Sequence, residues 1–256
     1  LVKVPLRELY KGTPDREILH ARTHALDSHI VAQHDLGEEH IVSKVDRLLA
    51  QLLALGENLS ELADALGIEK SAKDLIGFTR SEVKDNGWLH YPQLEKLAQV
   101  APIAMTQQAF LARCKSIHEL WQKLPNGFLK QILQVAGVPR AKIADRASLK
   151  LLQTLRNILQ HLDADEEAVD AFKNDQLPEY WDDRNAGVAM LFVANDLRIA
   201  DAHDSVGESL QKLQDQGFDI ASLHQGYGRA LDFVLDGVIN SFDAINAPLR
   251  RILSRV

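Results

Sequence analysis

A single cysteine, Cys114, excludes an intramolecular disulfide in this chain of 256 residues. With no signal-peptide pattern at its start, the chain is expected in a reducing cytoplasm. Aromatic residues are scarce at 6%, and the 14 glycines and 8 prolines are too few for a collagen-like or low-complexity polymer. Long hydrophobic runs are missing too. The longest, Val188 to Ala194, has seven residues, against the roughly 20 that cross a bilayer as a helix. No membrane span is expected. The 46% hydrophobic content excludes intrinsic disorder and suffices for one large core or two small ones.

The net charge of −7 argues against general binding to double-stranded DNA, yet the charge is unevenly spread. From Thr106 to Leu162 there are nine cations and two anions, Glu119 and Asp145. From Asp163 to Arg184 there are nine acids against Lys173 and Arg184. Within the basic block, Lys142, Arg146 and Lys150 are the candidate RNA-binding residues, an electrostatic footprint for a polyanion. The alternative is that the basic and acidic faces pair with each other.

Apolar residues recur at helical spacing. Ile41, Val42, Val45, Leu48, Leu49, Leu52 and Leu53 form one stripe; Phe110, Leu111, Cys114, Ile117, Leu120, Trp121 and Leu124 form a second. A third joins Leu149, Leu151, Leu152, Leu155, Ile158, Leu159 and Leu162, with Asp145 or Ser148 as candidate N-cap. Ala186 to Ala202 is apolar nearly all round, which predicts a helix inside a bundle. A last helix is predicted from about Tyr227 to Ile245, ahead of Pro248. Only Leu1 to Leu6 alternates like a strand. The predicted fold is all-α. Gly77, Asn86-Gly87 and Pro92 interrupt the pattern, placing an N-terminal helical region at 1–100 and a helical bundle at 101–256.

Several motifs offer chemistry. His20 and His24 are i, i+4 neighbours able to share a metal, but His29 falls about 180° away on a helix and no H-E-x-x-H pattern is present. A polar helix surface is the better reading, so no metal and no cofactor are expected. Leu59 to Ile68 resembles the first half of a helix-turn-helix, but Glu69 to Ile76 offers no convincing recognition helix.

Arg156-Asn157-Ile158-Leu159-Gln160-His161 carries more. Arg, a polar residue, three others and His resembles the R-polar-x-x-x-H motif of the HEPN superfamily, all-helical domains many of which are metal-independent ribonucleases. The resemblance spans about 30 residues, through Asp165-Glu166-Glu167-Ala168-Val169 to Lys173-Asn174-Asp175-Gln176-Leu177-Pro178-Glu179, and is similar to the HepT-like toxin branch. Asp163 stands where that branch has a tyrosine. The resemblance implies a toxin or phage-defence endoribonuclease whose site forms where two such helices meet in a homodimer.

The residues support that chemistry on their own terms. Metal-free RNA cleavage needs a base for the 2′-hydroxyl proton and a cation for the phosphate. An imidazole can exchange a proton near neutral pH and a guanidinium offers a fork of donors, the parts His161 and Arg156 would take; Asn157 would orient one of them. Five residues on a helix separate Arg156 from His161 by about 140°, so one cleft from one subunit is not expected. Arg156, Asn157, Gln160 and His161 are all expected on the polar side of the helix. A rival copy, Arg198 to His203, has the same spacing but Ile199 in second place and acidic surroundings. The function expected is endoribonuclease, with RNA as partner and an upstream domain or regulatory protein expected because the chain opens at Leu1. The other reading is a non-catalytic helical module that binds a protein.

Overall fold

The computed structural model describes residues 11–27, 29, 32, 37, 39–88, 91–200 and 206–255. Every regular element among them is helical, so the fold is all-α. The alternating stretch Leu1 to Leu6 lies outside the described residues, as does His203. Two compact units are present, 1–40 and 41–256. In the first, α1 (Asp15–Thr23) begins after Pro14 with Asp15 and Glu17 in its first turn, where acids suit the positive end of the helix dipole. None of its residues is buried, and His20 meets His24 edge-to-face at 4.6 Å.

The second unit is built on two long helices, α2 (Ile41–Ala65) and α12 (Gly228–Ser254), which pack along each other. The leucine stripe makes α2: Val45, Leu48, Leu52, Leu59 and Leu62 are fully buried. Non-directional burial alone would let two such helices slide. A seam of polar pairs fixes the register. Lys44 Nζ donates to Asp236 at 2.7 Å, Asn58 Nδ2 to Asn246 Oδ1 at 3.3 Å, and Asn246 Nδ2 to the Gln51 carbonyl at 2.9 Å. Leu59 to Ala65, part of the stretch resembling a helix-turn-helix, is the end of α2.

Gly77, Gly87 and Pro92 punctuate short helices inside this unit. α3 (Ala72–Ile76) and α4 (Arg80–Asn86) each start on a capping box, Ser71 with Asp74 and Thr79 with Glu82. Gly77 ends α3 at φ 87°, a left-handed conformation that costs glycine nothing. Pro92 opens α5 (Pro92–Ala98), where its missing N–H is not needed. α3 and α5 both pack on α2, so the division expected near residue 100 falls within a unit that starts at Ile41.

α6 (Gln107–Glu119), α7 (Asn126–Val135), α8 (Arg140–Ile143), α9 (Ser148–Ala164), α10 (Ala189–Ala200) and α11 (Val206–Asp215) complete the bundle before α12. α9 lies against α7 and α12; α10 lies against α6 and α12. Neither Asp145 nor Ser148 caps α9. Ala147 holds that place without a side-chain cap, and Ser148 is already in the first turn. The run from Ala186 opens with a 3₁₀ turn, Ala186–Val188, before α10 begins.

The last helix does not stop ahead of Pro248 but carries it inside. A proline costs a helix interior about 3 kcal/mol. Beyond it, Leu249 and Ile252 are both fully buried, at about 1.5–3 kcal/mol each. Burial wins. No helix among the described residues is long and apolar enough to cross a membrane.

Candidate active site

The inner face of α9 is held by Leu151, Leu152, Leu155 and Leu159, all fully buried. This turns Arg156, Gln160 and His161 toward a segment that runs from Pro178 to Gly187, a strap laid over the helix. Between helix and strap is a pocket of about 350 Å³, lined by Arg156, Gln160, His161, Tyr180, Arg184 and Asn185 among others. Arg156 and His161 thus share one pocket within one chain, despite pointing far apart on the helix. The strap supplies what helix geometry does not: a wall that reaches both.

Asn157 is the clamp. Its side chain is only 4% exposed, contrary to the polar-surface position expected for it. Asn157 Nδ2 donates to the Tyr180 carbonyl at 3.1 Å and to the Asp183 carbonyl at 2.9 Å. Its Oδ1 accepts from Asn185 Nδ2 at 2.8 Å, which also donates to Gln160 Oε1 at 3.0 Å. Asn185 Oδ1 in turn accepts from the Gly187 amide at 2.9 Å, starting the 3₁₀ turn. One amide side chain thus ties two strap carbonyls to α9, and that of Tyr180 also accepts from the Asp183 amide at 3.2 Å.

From the other side, Arg146 pairs through both terminal nitrogens with Asp182 and lies over the Trp181 ring, 4.3 Å from its centroid. Lys142 also sits over Trp181, at 5.7 Å, and Lys150 over Phe192, at 5.3 Å. The three candidate RNA-binding cations therefore face aromatic rings of the strap and of α10. Arg146 is committed to an ion pair. The basic and acidic stretches meet here; elsewhere Asp163 of the acidic stretch accepts from Arg251 at 2.9 Å and from Arg255 at 2.9 Å, at the end of α12. Those arginines hold the Asp163 carboxyl below its ordinary value, with the Arg251 hydrogen bond as the largest cause.

Arg156 is half-buried, and its Nε and Nη1 are buried without a hydrogen-bond partner. Burial opposes its charge and lowers its pKa, while Asp163 nearby favours it and Arg251 opposes it. Guanidinium N–H groups in that position call for an oxygen acceptor. The exposed imidazole of His161 lies flat on Tyr180, ring centroids 3.4 Å apart and planes 11° from parallel.

Arg198 sits elsewhere, on α10. Its Nη2 donates to Asn195 Oδ1 at 3.1 Å, and its Nε is buried without a partner. Near it is His118 of α6, 8% exposed, whose pKa is pushed down to about 4, first by burial and then by the Arg198 charge. His118 meets Trp121 edge-to-face at 5.2 Å. Tyr180 and Arg184 were missed in the sequence. Their only signal is position, Tyr180 directly after the Lys173 to Glu179 stretch of the motif and Arg184 four residues further on. No protein-family model, curated protein or solved structure matches this chain.

Proposed function

We propose that the chain is a metal-independent endoribonuclease of HEPN type whose site is the pocket between α9 and the strap. One observation carries the reading: Arg156, with two unpartnered buried nitrogens, and His161 line the same pocket. Arg156 holds the scissile phosphate as charge builds on it, in surroundings where such contacts are strengthened. His161 takes the proton of the 2′-hydroxyl. The 2′-oxygen then attacks phosphorus, the bond to the 5′-oxygen breaks, and that oxygen takes a proton from water. The products are a 2′,3′-cyclic phosphate and a 5′-hydroxyl end.

Asn157 orients His161 indirectly. It fixes the Tyr180 backbone, and the Tyr180 ring carries the imidazole. The resemblance further implies a toxin or phage-defence role and a homodimer, while the lone cysteine is what supports a cytoplasmic setting. Because Arg156 and His161 line one pocket of one chain, the reading does not need a dimer to bring those two together.

One observation favours a non-catalytic helical module instead. Asn157 and Arg146 are already spent on holding the strap. Labelled single-stranded RNA incubated with the protein in EDTA separates the two. Cleavage with cyclic phosphate ends supports the nuclease; intact RNA favours the module.

A further inference from the structure

The strap carries two arginine-bearing contacts with opposite fates. Arg146 reaches it from α8's end of the bundle and is consumed by Asp182. Arg184 is part of the strap itself, lines the pocket, is exposed, and has no hydrogen-bond or ion-pair partner among the described residues. Its backbone is nonetheless fixed on both sides. The preceding carbonyl, of Asp183, accepts from Asn157, and the following side chain, of Asn185, is bonded to Asn157 and Gln160. Asp182, the acid two residues before it, is neutralised by Arg146.

We propose that Arg184 is a second substrate-binding residue of this pocket, which takes a phosphate of the strand adjoining the one held by Arg156. This rests on the ribonuclease reading and extends it to the polyanion contact. A long cation normally loses side-chain entropy on ordering; here the backbone beneath it is already ordered, so less remains to be lost. Of the two acids just before it in the chain, Asp182 is paired with Arg146 and Asp183 is not. The second phosphate contact therefore falls not to Lys142, Arg146 and Lys150, which cover Trp181 and Phe192, but to the strap.

The test uses the full chain and a fluorescein-labelled RNA of twelve or so nucleotides, 2′-O-methylated throughout so that it cannot be cleaved. Anisotropy is read in EDTA as KCl is raised. Arg184→Ala should weaken binding on the order of tenfold at low salt and make the slope of log K against log[KCl] shallower by about one. Arg184→Lys should restore the slope. Unchanged affinity and slope in Arg184→Ala, or no salt-dependent binding by the parent protein, overturns the assignment. The two readings fail separately. Cleavage of unmodified RNA with no Arg184 effect leaves the nuclease without this contact. An Arg184 effect with no cleavage leaves an RNA-binding pocket that is not a nuclease.

Discussion

His161 and Tyr180 stack with ring centroids 3.4 Å apart and planes 11° from parallel. One ring comes from α9 and the other from the strap, so the imidazole that the helix presents is oriented by a segment it does not belong to. Tyr180→Phe keeps the stack and should keep cleavage within a few-fold. Tyr180→Ala should lower the rate on the order of 10², the scale of a misplaced reacting group, and cost about 0.5–1.5 kcal/mol of stability. Equal rates for the two variants would remove Tyr180 from the positioning of His161.

Asn157→Ala tests the clamp. It leaves the Asp183 carbonyl without its side-chain donor and the Tyr180 carbonyl with only the Asp183 amide, and a polar group stranded away from water costs up to about 1–3 kcal/mol. The melting temperature should fall, and amides of residues 180–187 should exchange faster while those of α2 and α12 stay protected. Uniform exchange across the chain would show that the strap is not a separate unit.

The helical class was legible because burial here follows the 3.6-residue leucine stripes, and α2 and α9 are those stripes. What escaped the sequence is non-local. Asn157 reads as a surface residue on a helical wheel, and only the strap arriving from more than 20 residues away turns it into a buried clamp. For the same reason the helical wheel does not place Arg156 and His161 in one cleft of one subunit. Gly77, Gly87 and Pro92 were read as a boundary, when each terminates or opens a short helix packed on a common core. Pro248 was read as a stop, but the buried residues beyond it outweigh its cost.

Acid should loosen the end of α12. Hydrogen bonds from Arg251 and Arg255 hold the Asp163 carboxyl below its ordinary value of 3.8. The stabilisation is therefore complete above that value and is lost as the pH falls through the lower, folded value. Asp163→Asn should be less stable than the parent at neutral pH and should converge with it in strong acid. A constant difference across the titration would show that this pair is not responsible.

His118 acts over a different window. Its folded pKa is about 4 against an ordinary 6.5, so between those values the unfolded chain binds a proton that the native protein does not. Stability should decline as pH falls from about 6.5 to 4, then level off with respect to this group. His118→Gln should flatten that decline in urea titrations at stepped pH. An identical slope in the variant would place the pH dependence elsewhere.

The account's central claim is tested most directly by the cleavage rate of labelled single-stranded RNA in EDTA, compared between the parent protein and His161→Ala. The parent should produce 2′,3′-cyclic phosphate ends. His161→Ala should be slower by roughly 10²–10⁴, with a melting temperature lowered by no more than the loss of its stack with Tyr180. Cleavage by His161→Ala at the parent's rate, or no cleavage by any folded preparation of the parent, would contradict the account.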